Sequence, residues 1–223
     1  KERNCLKKRI KVNLFIFTII NSLICVLSNT YSYFSVLELF DFYNSDEYLN
    51  ITLLVFNVLF ISSIIITINS LIEEKVQVSK YILIRSNRKK TVYIYYISLI
   101  KEISLIVLTK IILDLILLLI FDKSNYDYFL YNSISLYISV ILWLILFDCL
   151  SNLKIKNNIL ILFFISIIYI SYMLLKYSDI FLLLIIRPYD DSVKFTKVIL
   201  LKLIVILLIL FLDIIIKSKK EYY

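Results

Sequence analysis

The sequence predicts an all-α membrane protein with six transmembrane helices, because its composition and its patterning agree. The chain has 223 residues, of which 61% are hydrophobic, and its mean hydropathy is +0.89. Gly and His are absent and Pro occurs once, so the turn-forming residues of a soluble domain are scarce. The apolar stretches are continuous rather than alternating. About 20 apolar residues in a helix match the hydrocarbon thickness of a bilayer, where helices satisfy their own backbone polar groups.

Six stretches of this kind lie along the chain and together form one transmembrane domain over residues 1–223. The predicted spans are residues 12–34, 49–72, 95–121, 134–151, 159–175 and 198–216. The polar stretches between them reach only about 20 residues, which is too few to bury a core of their own. No separate soluble domain is therefore predicted.

The distribution of basic residues predicts the orientation of these spans. The N-terminal segment, the loops 73–90 and 152–158 and the C-terminal tail hold 17 of the 25 Lys and Arg residues, whereas the alternate connections hold five. Short cytoplasmic segments of membrane proteins carry an excess of Lys and Arg. Both termini and the two basic loops are therefore expected in the cytoplasm.

Two segments differ from a simple pattern of spans and loops. The N-terminal "KERNCLKKRIKVNLF" is basic and amphipathic, which favours a helix along the inner leaflet. The segment between the last two spans contains the apolar run Ile180 to Ile186, which is too short to cross a bilayer. This run is typical of a re-entrant or interfacial helix that ends at Arg187-Pro188, because proline cannot continue a helix.

The residue types that support common enzyme mechanisms are missing or badly placed. A chain without His cannot form His-dependent triads or His-bearing zinc sites, and a chain without Gly has no glycine-rich phosphate loop. The acidic pairs Glu73-Glu74 and Asp190-Asp191 fall at the predicted membrane edges. Three scattered cysteines suggest neither a disulfide set nor a metal site: Cys5, Cys25 and Cys149. No catalytic residue, metal or cofactor is predicted for this chain.

Ionisable residues inside membrane spans are costly and are the default functional candidates. Lys110 and Asp114 lie four residues apart on one face of the third span, where they either neutralise each other or line a substrate path. Asn57, in the second span, is a further candidate for such a path. Other charged residues lie nearer the predicted ends, where they can snorkel or meet head groups: Lys101, Glu102, Asp148, Lys202 and Asp213.

Small hydroxyl residues and aromatic residues are the other candidates for the interior. Without Gly and Ala, close helix contacts are expected at two hydroxyl pairs, Ser63/Thr67 and Ser135/Ser139. Several aromatic residues either line an interior that tolerates an amphipathic cargo or belong to a head-group belt: Phe56, Phe60, Tyr137 and Trp143.

The basic loop after the second span is much longer than a reversal of direction needs. Helical spacing places Ile72, Val76 and Leu83 near one face, which predicts a short helix lying at the membrane surface. The bases in the second half of this loop either hold anionic lipid and fix topology, or bind a cytoplasmic partner.

With these features the chain resembles the permease subunits of ATP-binding-cassette transporters of the type-2 exporter superfamily. The resemblance covers most of the chain: six spans, both ends inside, the basic lead-in at 1–14, the loop "EEKVQVSKYILIRSNRKK" and the outer excursion "IFLLLII". The piece "KYILIRSNRKK" is similar to small permeases of peptide-antibiotic or bacteriocin loci.

The resemblance implies a bacterial cytoplasmic membrane protein that exports or removes amphipathic peptides or lipids. A separate ATPase, which binds ATP and Mg, would supply the energy, and a second permease copy or a sister permease would complete the path. Nucleic acid is not an expected partner, whereas membrane lipid is. The first cytoplasmic loop would hold a coupling helix that contacts the ATPase, and its expected docking residues are Glu74, Lys80, Arg85, Ser86 and Arg88.

Two other functions remain open at this stage. A non-transporting immunity or assembly protein would bind a toxin or a complex through its outer loops and would need no ATPase. An ion-coupled secondary transporter would use Lys110 and Asp114 as its proton or ion site.

Overall fold

The computed structural model describes residues 51–83, 88–120, 126–152, 156–174 and 192–219, with single residues at positions 12, 15, 16, 18, 19 and 184. At some helical positions, among them residues 51–58 and 77–83, it describes the backbone alone. The part of the chain that the structure describes is all-helical. Its long helices are α1 (Ile51–Leu83), α2 (Arg88–Ile120), α3 (Tyr126–Ser151), α4 (Asn157–Leu174) and α5 (Ser192–Lys219).

Each of the last five predicted spans coincides with one of these helices. Each helix extends beyond its predicted span, into polar sequence, at one end or at both. The N-terminal amphipathic helix and the first predicted span lie mostly outside the described residues; the five described positions there are helical. Among the described residues, two stretches are long and apolar enough to cross a membrane, Ser133–Ser151 with 19 residues and Val193–Lys217 with 25.

The basic segment after Ile72 differs from the prediction of a separate surface helix. Residues 73–83 continue α1 without a break, and α2 starts at Arg88, so α1 and α2 form a helical hairpin. The physical reason lies in the local sequence: the chain has no Gly, and its one Pro is far away at position 188. Nothing after Ile72 therefore stops the helix, and residues such as Glu, Lys, Gln and Leu favour its continuation.

Contacts between side chains fix the relative directions of the helices. Lys75 of α1 pairs with Glu102 of α2, and Phe60 lies under Lys110, so these helices are antiparallel. Tyr95 contacts Asp148 and Ser104 contacts Tyr137, so α2 and α3 are antiparallel as well.

Helices α3 and α5 run in the same direction. Lys202 of α5 donates to Ser139, and further along both helices Asp213 accepts from Asn152, which follows α3. Because α3 and α4 are joined by residues 152–156, α4 starts where α3 ends. The ends of α1, α3 and α5 and the starts of α2 and α4 therefore gather at one end of the bundle, which we call the basic end.

Helix α3 lies at the centre of the bundle and contacts each of the other four long helices. Its Trp143 and Phe147 are fully buried, and the ring of Phe147 packs edge-on against Phe164 of α4 at 5.5 Å between centroids. Of the aromatic residues expected inside, Phe60 and Trp143 are buried and Tyr137 is half-buried, while the side chain of Phe56 lies outside the description.

The hydroxyl residues expected at helix contacts are buried, as predicted. Ser63 donates to the carbonyl of Phe60, and Thr67 donates to the carbonyl of Ser63, so their polar hydrogens are satisfied within α1. Small hydroxyl residues of this kind allow helices to approach closely.

The outer surface of the bundle is apolar along much of its length. On α5, many large apolar side chains are exposed, while the charged residues of its middle and end, Lys202, Asp213 and Lys217, are buried. The exposed set comprises Leu200, Leu201, Leu203, Ile204, Leu207, Leu208, Phe211 and Leu212. This arrangement is the reverse of a water-soluble helix, in which the charged face is outside.

Candidate functional site

A buried polar network occupies the basic end of the bundle and joins three helices. It consists of Tyr95 and Tyr96 of α2, Asp148 and Asn152 of α3 and the following turn, and Asp213 and Lys217 of α5. Apart from the half-buried Asn152, each member has a relative exposure of 7% or less. We call these six residues the polar network.

Lys217 is the cation at the centre of the polar network. Its ammonium group pairs with Asp148 Oδ2 and with Asp213 Oδ2, the latter at 2.9 Å, and it also donates to the hydroxyl of Tyr96 at 3.1 Å. The ammonium lies over the rings of Tyr95 and Tyr96, at 4.6 and 4.8 Å from their centroids. Ring faces attract cations, so the two tyrosines hold Lys217 by their rings as well as by a hydroxyl.

The tyrosine hydroxyls and Asn152 provide donors for both carboxylates. Tyr95 donates to Asp148 Oδ1 and Tyr96 to Asp148 Oδ2, each at 2.7 Å, and Tyr96 also contacts Asp213 Oδ2. The amide of Asn152 donates to Asp213 Oδ1 at 3.0 Å. All four carboxylate oxygens therefore have a donor, as buried charges require.

The expectation that Asp148, Lys202 and Asp213 snorkel to the membrane edge is wrong. Their relative exposures are 1%, 0% and 0%, so they lie inside the bundle rather than at its outer surface. The reason is that three helices pack around them and supply partners, which is less costly than leaving them in contact with an apolar surrounding. Of the other two residues in that expectation, Lys101 is exposed and Glu102 is half-buried.

Lys202 is a second buried cation, at a different level of the same interface. It lies eleven residues before Asp213 on α5, which corresponds to about 16 Å along a helix. Its ammonium group donates to the hydroxyl of Ser139 on α3 at 2.7 Å. Helices α3 and α5 are thus joined by polar contacts at two levels, with the apolar residues Leu142, Ile145 and Ile206 packed between them.

Lys110 and Asp114 form the ion pair that their spacing predicts. The distance between Lys110 Nζ and Asp114 Oδ1 is 2.6 Å, and their side chains are 4% and 11% exposed. Lys110 also lies 5.7 Å from the centroid of the Phe60 ring on α1. The pair is therefore within α2 and packed against α1. Asn57, the third residue expected in a path, lies on α1 with its side chain outside the description.

Near the basic end, a half-exposed ion pair joins the two helices of the α1–α2 hairpin, and an exposed contact joins the hairpin to α4. Lys75 of α1 pairs with Glu102 of α2 at 2.5 Å. Glu73 accepts from Asn69 at 3.0 Å and from Asn157, at the start of α4, at 2.6 Å. The position of the hairpin relative to α4 is therefore set by polar contacts of α1.

Of the five residues expected to dock an ATPase, three lie on the described helices of the hairpin. Glu74 is half-buried on α1, while Lys80 is on the last turns of α1 and Arg88 is the first residue of α2. Arg85 and Ser86 lie outside the described residues. Arg88 precedes Tyr95 by seven residues, so the start of α2 is about 10 Å beyond the polar network along a helix.

The carbonyl of Leu184 contacts the middle of α3. It accepts a hydrogen bond from the indole nitrogen of Trp143 at 2.8 Å. Trp143 is ten residues from Ser133, about 15 Å along a helix, which is half the thickness of a hydrocarbon core. Leu184 belongs to the apolar run 180–186, so this run reaches the middle of the predicted fourth span at that position.

The described part of the site consists of paired charges. No group of three Cys, Asp or Glu residues there is arranged to hold a metal ion. Cys149, next to Asp148, is a free thiol, and Cys5 and Cys25 lie outside the described residues. The polar network can fix the first part of α2 relative to the ends of α3 and α5.

Comparison with known proteins gave no match: no family model, no curated protein and no solved structure is significantly similar to this chain.

Four members of the polar network were not singled out in the sequence. The spacing of Asp213 and Lys217, four residues apart, is the same as that of Lys110 and Asp114 and could have identified Lys217. Tyr95, Tyr96 and Asn152 had no such pattern, because Tyr is abundant throughout, with 18 residues in the chain.

We expect that removing the buried cation of the polar network lowers the free energy of unfolding much more than removing a half-exposed cation does. Lys217→Met leaves two adjacent buried carboxylates without their cation and is expected to lower the free energy of unfolding by about 3 kcal/mol. Lys75→Met breaks a half-exposed ion pair and is the matched control, with an expected loss below about 1 kcal/mol. Unfolding of both purified variants in mixed micelles checks this, and equal losses would contradict the central role of Lys217.

Proposed function

We propose that this chain is the membrane-spanning subunit of an ATP-driven transporter, acting with a separate cytoplasmic ATPase. The observation that carries the proposal is the α1–α2 hairpin: its helix α2 starts at Arg88, beyond the polar network, and that network joins α2 to α3 and α5. A force on the start of α2 would therefore reach three helices at once, which is what energy coupling from outside the membrane needs.

A location in the membrane follows from the surface of the bundle. The exposed apolar side chains of α5, together with two stretches long enough to span, favour hydrocarbon as the surrounding medium. In this proposal all six predicted spans cross a bacterial cytoplasmic membrane. The basic end, where Lys75, Lys90, Lys156 and Lys217 gather, then faces the cytoplasm, in agreement with the excess of bases there.

The contact between Trp143 and Leu184 supports a re-entrant segment between the last two spans. A carbonyl at the level of Trp143 needs a hydrogen-bond donor, because unsatisfied backbone groups are costly at that depth. The indole of Trp143 supplies this donor. Such a segment is a feature of the permeases that this chain resembles, so the contact favours that class over a simple bundle.

The membrane subunit would carry no covalent chemistry, and ATP and Mg would bind to the partner. Its described helices enclose a packed core with a fully buried centre, so a path requires a second surface. We therefore propose a pair of permeases, either two copies or a copy with a sister chain. Amphipathic peptides or lipids are the proposed cargo, exported or removed from the membrane.

The proposal predicts that the chain captures an ATP-binding-cassette ATPase. Purified in mild detergent from its native host, the tagged chain should bring down such an ATPase, identified by mass spectrometry. Arg85→Glu with Arg88→Glu should reduce this capture at least about tenfold, because reversing two charges at a docking site changes binding by several kcal/mol.

The matched control for the capture experiment reverses two exposed bases at the opposite end of the bundle, Lys194→Glu with Lys197→Glu. This control should capture as much ATPase as the unmodified chain. Capture that survives the change at Arg85 and Arg88 would place the docking site elsewhere, and the absence of any ATPase would favour a non-transporting membrane protein.

The proposed topology predicts which exposed lysines face the cytoplasm. In a background with Cys5, Cys25 and Cys149 replaced by Ser, Lys90→Cys and Lys156→Cys should be protected from a membrane-impermeant maleimide in intact cells. Lys194→Cys should be labelled, because it lies at the other end of the bundle. All three positions are exposed in the structure, so accessibility itself is matched. Equal labelling of the three would rule out this arrangement.

A second candidate function is ion-coupled transport, which is favoured by the buried charges Lys110, Asp114 and Lys202. Intramembrane ionisable groups of this kind mark ion pathways in many transporters. This candidate predicts transport that a protonophore abolishes, that Asp114→Asn abolishes, and that persists when the partner ATPase is deleted. ATP-driven transport predicts the opposite response to deletion of the ATPase.

A further inference from the structure

The exposed side chains on the outward face of α2 change in character along the helix. Exposed side chains recur every three or four residues from Lys90 to Ile120, so they form one continuous stripe. The first part of this stripe contains Lys90, Tyr93, Ile94, Ile97 and Lys101, so both of its charged residues are basic. The second part is apolar apart from Thr109 and consists of Leu105, Leu108, Ile112, Ile116, Leu119 and Ile120.

The two parts of the stripe suit different surroundings. The apolar part, from Leu105 to Ile120, extends about 22 Å along a helix, which suits contact with acyl chains. The basic part, from Lys90 to Lys101, extends about 16 Å and carries the exposed ring of Tyr93, which is 63% accessible. Tyrosine and lysine next to an apolar stretch are typical of the head-group region.

The basic part of this stripe lacks acidic side chains to balance it. Glu102 is the next residue after Lys101, but its carboxylate pairs with Lys75 of α1. Neither Lys90 nor Lys101 forms an ion pair with any residue that the structure describes. The basic part of the stripe therefore carries two exposed positive charges that can attract an anionic partner.

A second copy of the chain does not fit this face. A symmetric contact through the stripe would place Lys101 against the basic stripe of the partner, since such an interface uses the same patch twice. Like charges in an apolar surrounding repel each other strongly. The occupant must therefore be anionic at one end and apolar at the other.

We propose that the stripe between Lys90 and Leu105 binds an anionic phospholipid, with the phosphate held by Lys101 and an acyl chain along the apolar part. Long side chains on a helix lean toward its N-terminus. The N-terminus of α2 is at the basic end, so Lys101 leans toward Tyr93 and the proposed head-group region. This site depends on the location of α2 in a bilayer and does not depend on the transporter function.

Native mass spectrometry of the purified chain tests the proposal, with phosphatidylglycerol and phosphatidylcholine as the two probes. The chain should bind phosphatidylglycerol in preference to phosphatidylcholine. Lys101→Gln should weaken binding of phosphatidylglycerol by about fivefold, the effect of one basic residue near an anionic surface. The matched control is Lys197→Gln, an exposed lysine of α5 at the other end of the bundle, which should bind phosphatidylglycerol as the unmodified chain does.

Three outcomes would overturn the proposal. One is equal binding of both lipids, and another is unchanged binding of phosphatidylglycerol in Lys101→Gln. The third is efficient disulfide formation between two Lys101→Cys chains in membranes, which would show a second copy on this face. Because Lys101 is exposed and unpaired with described residues, its replacement should leave the fold intact, which thermal unfolding in detergent checks. A failure here leaves the ATPase capture experiment unaffected.

Discussion

The pairing of Lys217 with Asp148 and Asp213 is the constraint on which the rest of the bundle depends. Two carboxylates and one ammonium group are buried together among apolar helices, where an unpaired charge is very costly. Each of the three helices that contribute to the polar network must therefore keep its level relative to the others. A sliding movement of α5 by one turn would separate Lys217 and Asp213 from Asp148 and from the two tyrosines at the same time.

The bundle has an apolar outside and an apolar core that encloses buried polar contacts at several levels, and α3 is the element that makes this possible. It contacts each of the other four long helices and presents Ser139 to Lys202 and Asp148 to Lys217. The hairpin is joined to this centre through Tyr95 and Tyr96. In the proposed transporter, the hairpin would accept force from the ATPase, and the polar network would distribute it to α3 and α5.

The sequence predicts the helices well, because long continuous apolar runs without Gly or Pro favour helices, and it predicts contacts within one helix, such as Lys110 with Asp114. The sequence does not predict contacts between residues that are far apart along the chain. Asp148, for example, lies 53 positions from Tyr95 and 69 from Lys217. Asp148 and Asp213 lie near the ends of their predicted spans, which suggests that they snorkel to the membrane edge. In the structure, side chains of neighbouring helices bury both residues. The hairpin was also missed, since a change from apolar to charged residues marks a membrane edge without ending a helix.

The order of the polar network along the chain has a consequence for biosynthesis. Tyr95, Tyr96 and Asp148 leave the ribosome well before Lys217, which belongs to the final described helix. Until that helix has packed against α3, the carboxylate of Asp148 has no ammonium counter-ion from Lys217. The packing of α5 is therefore the step that completes the polar network.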